Sequence, residues 1–132
     1  MDLHLKDRVV FITGPAKGMG RAVSLAFARE GARLVLVGRD TKAIDPVANE
    51  AQALGVSAIV LACDVTDDAQ TQAAVAKALA AFGSIDVLVN VAGGSGPIGK
   101  TGWETSTEEF NEIVELNMTG CFNTMRSVLP SM

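Results

Sequence analysis

Tyrosine is absent from the 132-residue chain, histidine occurs once and cysteine twice. The first absence removes any phenolate base from these residues. His4 lies near the N-terminus, outside any catalytic constellation, and reads as a surface residue. Cys63 and Cys121 are far apart and lack metal-ligand spacing. They read as two reduced, mostly buried thiols of a cytoplasmic protein, not as a disulfide or a metal site. Positive charge is not in excess: 11 Lys and Arg stand against 15 Asp and Glu, a net −4. That balance argues against nucleic acid or an anionic membrane as a partner. No apolar run is long enough to span a bilayer. The opening MDLHLKDRVV carries acidic residues early and lacks the apolar core of ~7–15 residues that a signal peptide needs.

What is present is ordinary globular material, 48% hydrophobic and 20% charged with 13 glycines, enough for one domain over residues 1–132. Short apolar runs alternate with helical stretches. Arg8–Thr13 reads as a buried strand, followed by a turn over Gly14–Gly20 and a helix to Glu30 that Gly31 stops. Leu34–Val37 is a second strand. Asp45 reads as the N-cap of the next helix, with Pro46 at its first position and Gly55 at its close. Ala58–Ala62 is a third strand, and Thr66 reads as the cap of an Ala-rich helix ending before Gly83. Val87–Val91 is the fourth strand. After the Gly93–Gly102 loop, Ser106 and Glu109 form a capping box for a helical region reaching about Leu129, with an interruption near Asn117.

Strands apolar on both sides and separated by helices imply a parallel sheet covered on both faces. Right-handed crossovers then give an α/β, doubly wound, Rossmann-like fold whose expected strand order is 3-2-1-4. In that order Val87–Val91 lies at an open edge, an arrangement that invites pairing.

The turn Thr13-Gly14-Pro15-Ala16-Lys17-Gly18-Met19-Gly20 joins the first strand to the first helix. Gly14 permits the sharp exit, Gly18 lets the backbone approach a pyrophosphate, and Gly20 lets the helix pack close to the sheet. The helix N-terminus offers free N–H groups and a positive dipole end to phosphate. Folds that bind NAD usually place Asp or Glu at the end of the second strand, on the ribose 2′-hydroxyl. Here that place holds Gly38 followed by Arg39. A guanidinium can take a 2′-phosphate in bidentate fashion, and Lys17 can reach the same group. The cofactor expected is therefore NADP, with NAD as the alternative. The same Gly38-Arg39 argues against a methyltransferase, which needs an acid there.

Three more segments complete a pattern: Asp64-Val65, Asn90-Val91-Ala92-Gly93, and Asn117. With the glycine turn, in this order and spacing, the chain resembles the short-chain dehydrogenase/reductase family over essentially its whole length. The resemblance implies hydride transfer between NADP(H) and a small-molecule carbonyl or alcohol, in a homodimer or homotetramer. It implies that Asp64 bonds the adenine amino group beside the Val65 main chain. Asn90, Ala92 and Gly93 would line the ribose–nicotinamide side. Lys17 and Arg39 match the basic positions of NADP-preferring members, and Gly14, Ala16, Gly18, Met19 and Gly20 match the phosphate turn. The loop carrying Ile98 and Trp103 would border the substrate. Ile113, Leu116 and Phe122 would serve a subunit interface or the core.

The family's catalytic set is Asn, Ser, Tyr and Lys, of which only Asn117 matches here. The other three belong to a strand and a helix that follow in the family. The expectation is thus an N-terminal part of a longer enzyme, truncated before the catalytic Ser, Tyr and Lys. Two other readings stay open: a nucleotide-binding module without catalysis, and an interaction fragment that needs a complementary chain.

Overall fold

The computed structural model describes residues 1–132. Four strands, β1 (Val9–Thr13), β2 (Arg33–Gly38), β3 (Ala58–Ala62) and β4 (Val87–Asn90), form one parallel sheet in the order β3-β2-β1-β4. Helices α1 (Gly18–Arg29), α2 (Thr41–Ala53) and α3 (Asp68–Phe82) supply the crossovers. After β4 come α4 (Thr107–Val114), a π-helical turn (Glu115–Thr119) and α5 (Gly120–Val128). This is the α/β, Rossmann-like arrangement that the alternation of apolar runs and helical stretches implies.

Alternate residues of the central strands feed two separate cores, as the two-residue period of a strand requires. Val10, Ile12, Leu34 and Leu36 face α1 and α2, meeting Leu25, Ala28, Ile44, Val47 and Ala51. Val9, Phe11, Val35 and Val37 face the other way, against Ala74, Val75 and Ala78 of α3 and Val128 of α5. The four β1 residues from Val9 to Ile12 are wholly buried. Each contributes about 1.5–3 kcal/mol of apolar burial, so β1 anchors the sheet from its centre. No helix is long and apolar enough to cross a membrane.

Two helix starts differ from the sequence reading. α2 begins at Thr41 with Asp40 as N-cap, accepting from the Ala43 N–H at 3.2 Å, so Pro46 lies inside the helix. The earlier start places Ile44 on the helix and buries it to 2% exposure beside Gly38. That burial helps offset the ~3 kcal/mol penalty of an interior proline. α3 is capped by Asp67, which accepts from Gln70 N–H, while the Thr66 hydroxyl donates to Asp64 Oδ1 at 2.8 Å. β4 ends at Asn90, one residue early, because Val91 N–H turns to the Thr13 hydroxyl. The Ser106–Glu109 capping box is present as read, and the helix interruption near Asn117 is the π-helical turn.

Candidate dinucleotide site

The site is built at the carboxyl ends of β1 through β4, where the chain leaves the sheet. Gly14 holds φ +67°, and a Cβ there would stand 2.8 Å from Ala92 N and 2.9 Å from its Cα. A Cβ on Gly20 would lie 2.0 Å from the Gly14 carbonyl oxygen. Both glycines are therefore demanded by close backbone approach. Gly18 is different: its φ is +54° and a Cβ would meet nothing within 4 Å. The space above it is open.

The main-chain N–H groups of residues 16–20 donate to no acceptor in the chain. The N-cap position of α1, Lys17, supplies no side-chain cap, whereas α2, α3 and α4 are capped by Asp40, Asp67 and Ser106. The first turn of α1 also lacks acidic residues. Free donors and the positive end of the helix dipole thus converge on the turn, a combination suited to an anion.

Above the turn lies a cleft of about 380 Å³. Gly14, Ala16 and Lys17 form its floor, Gly38 and Arg39 one end, Asp64 and Val65 a wall, and Ala92 and Gly93 the opposite wall. Gly18 and Met19 do not line it, and Met19 is 71% exposed. Gly20 is buried behind the floor. Lys17 and Arg39 are exposed and form no ion pair within the chain. Asp64 Oδ1 accepts from the Thr66 N–H at 3.0 Å and from its hydroxyl, leaving Oδ2 without a partner. Val65 N–H likewise finds no acceptor.

Asn90 and Asn117 stand just outside the cleft lining. Asn90 Oδ1 accepts from the Thr124 hydroxyl at 2.7 Å. Asn117 grips the backbone of Gly94 and donates to Ile113 O at 2.9 Å. It sits in the π-helical turn, a feature often found where a helix serves a site. Ile98 and Trp103 are 91% and 88% exposed and do not line the cleft.

Four contributors escaped the sequence reading. The Thr13 hydroxyl accepts from the N–H groups of Val91 and Ala92 at 3.2 and 3.1 Å, holding the exit of β4 against that of β1. Asn123 and Thr124 of α5 do similar work; Thr13 stands at the head of the glycine turn, but no local pattern marks its bond or the other two residues. Cys63 lines the cleft as well, where burial pushes its thiol above the ordinary range. It is a packing group there and not a nucleophile.

Residues 8–132 match the family described as short chain dehydrogenase. The 7alpha-hydroxysteroid dehydrogenase of Escherichia coli K12 is 32% identical over 131 residues, 99% of this chain and 50% of that protein. A Burkholderia phymatum short chain dehydrogenase/reductase in complex with NAD superposes with a TM-score of 0.88 at 32% identity, over 97% of this chain and 45% of that one. An alcohol dehydrogenase from Thermococcus sibiricus complexed with 5-hydroxy-NADP gives 0.87 at 34% identity, over 96% and 53%. The chain spans about half the length of the relatives it matches. Sequence, sheet order and the glycine turn therefore agree: this chain belongs to the short-chain dehydrogenase/reductase family.

Proposed function

We propose that these residues form the cofactor half of an NADP-dependent oxidoreductase acting on a small-molecule carbonyl or alcohol. The observation that carries the reading is the row of unpaired N–H groups over residues 16–20, which starts in the cleft floor at Ala16 and Lys17, beside the unpaired Lys17 and Arg39 side chains of the same cleft. Bound there, the nicotinamide dinucleotide would donate or accept a hydride at the substrate carbon.

The chain's own residues would then divide the binding. The N–H groups of the turn hold the pyrophosphate, and the open space at Gly18 gives it room. Lys17 and Arg39 take the 2′-phosphate. Asp40 borders the same end of the cleft, but its Oδ1 is occupied capping α2. Asp64 Oδ2 and Val65 N–H, both unpartnered, suit the donor and acceptor edge of adenine. Ala92 and Gly93 flank the ribose–nicotinamide side, with Asn90 behind them, while Asn117 steadies the loop after β4. The donor set thus fits a dinucleotide with an extra phosphate.

Arg39→Asp tests the choice of cofactor. NADPH binding should weaken about tenfold or more, the scale of a lost charged hydrogen bond replaced by repulsion, with preference moving toward NADH. Titration of both cofactors in low salt reads this directly. An unchanged ratio of the two affinities would mean that Arg39 does not read the 2′-phosphate.

A further inference from the structure

Helix α5 lies on the face of the sheet opposite α1, yet two of its consecutive residues reach toward the two walls of the cleft. Asn123, 5% exposed, donates through Nδ2 to Val65 O at 2.9 Å and toward Thr66 O at 3.4 Å. Thr124, 1% exposed, donates to Asn90 Oδ1 at 2.7 Å. Neighbours in a helix point about 100° apart, so one helix holds the exit of β3 with one side chain and that of β4 with the next. The fit on the β3 side is close: a Cβ on Gly120, one turn earlier, would stand 2.7 Å from Val65 Cγ2.

The consequence falls on the Val65 peptides. With its carbonyl held from behind by Asn123, Val65 keeps an unpartnered N–H in a residue that lines the cleft. The Thr66 hydroxyl and N–H, carried on the same short segment, fix one oxygen of Asp64. A single buried amide thus supports the segment that presents both polar groups of that wall. We propose that Asn123 is a positioning residue for the purine side of the cleft, orienting Val65 and Asp64 without touching the ligand. The proposal rests on the dinucleotide reading given above.

Thr124 provides the comparison needed to test it. Its hydroxyl, on a residue as buried as Asn123, makes a part-buried hydrogen bond from the same helix, but to the other wall. Adenosine 2′,5′-bisphosphate, titrated calorimetrically, probes the adenosine half of the cleft without the nicotinamide side. Asn123→Leu keeps the volume and removes the donor, whereas Thr124→Val keeps the shape and removes the hydroxyl. Asn123→Leu should weaken binding of the bisphosphate about fivefold or more, with Thr124→Val within about twofold of the unaltered protein. Both should lower the thermal midpoint, so stability alone cannot produce the difference. Asn123→Ser, which stays polar but is too short to keep the bond, should repeat the loss if Asn123→Leu fails to fold. Equal weakening by both sites, or an unchanged affinity in the Asn123 variants, overturns the positioning role. Failure of the unaltered protein to bind the bisphosphate overturns the dinucleotide reading and, with it, this inference.

Discussion

Asn117 pairs with Gly94 in both directions: its Oδ1 accepts from the Gly94 N–H at 3.2 Å, and its Nδ2 donates to the Gly94 carbonyl at 2.9 Å. The side-chain amide thereby stands in for a strand neighbour, satisfying both backbone groups of a residue that has left the sheet. Gly93 is part of the same arrangement, since a Cβ there would lie 2.6 Å from Asn117 Oδ1.

Asn117→Ala should therefore lower stability by about 1–2 kcal/mol and speed amide exchange at Gly94. Gly93→Ala should do the same by displacing the amide. Urea unfolding and hydrogen exchange measure the two effects. A Gly94 exchange rate that stays unchanged in both variants would show that something else holds the loop.

The glycines of the turn predict a division between folding and binding. Gly20→Ala puts a methyl group 2.0 Å from a backbone oxygen and should prevent the close packing of α1, with a large loss of stability. Gly18→Ala meets no atom within 4 Å and pays only for its positive φ, about 1–2 kcal/mol. It should fold, yet crowd the phosphates and weaken NADPH binding. Comparing thermal midpoints with NADPH titrations separates the two substitutions. A Gly18→Ala variant that binds NADPH normally would argue against phosphate passing over that residue.

Asp86 predicts acid sensitivity. The N–H of Val9, at 2.8 Å, lowers its carboxyl pKa most, with Arg8 and Ser84 adding to the effect. A folded pKa below the unfolded value of about 3.9 gives stability that is complete above that value and lost as pH falls through the folded one. Stability should thus decline below about pH 4, and Asp86→Asn should flatten part of that decline. Asp67, lowered by its hydrogen bonds to Gln70, and Glu104 and Glu109, lowered first by their hydrogen bonds to Thr101 and Lys100, leave the rest. Urea midpoints between about pH 2 and 6 supply the measurement. Identical slopes in the two proteins would count against Asp86.

Pro46 predicts a gain. It is exposed within α2 and leaves the Lys42 carbonyl without its helical donor. Pro46→Ala should stabilise the chain by about 1–2 kcal/mol, the interior penalty less the stiffening that proline gives the unfolded state. A lower unfolding midpoint would mean that the helix start depends on Pro46.

The order of strands and helices, the parallel sheet and the glycine turn after β1 were legible in the sequence because each is written in neighbouring residues. The run from Val9 to Ile12 is apolar throughout, and Gly14, Gly18 and Gly20 mark where backbone must turn or pack. The helix starts were less legible. Asp40 and Asp45 are both chemically fit to cap α2, and only burial of Ile44 against the sheet chooses Asp40. Thr66 and Asp67 compete in the same way, and the bond from Thr66 to Asp64 decides.

The tertiary structure alone decided what supports the cleft. Thr13 meets Ala92 across 79 positions, Asn123 meets Val65 across 58, and Thr124 meets Asn90 across 34. No local spacing encodes such pairs, because a hydroxyl or amide can satisfy its hydrogen bonds in many places along the chain. The sequence by itself determined the family and the glycines of the turn. Folding determined which buried polar groups hold that turn's neighbours in place, since a buried donor must find an acceptor and only packing brings one within reach.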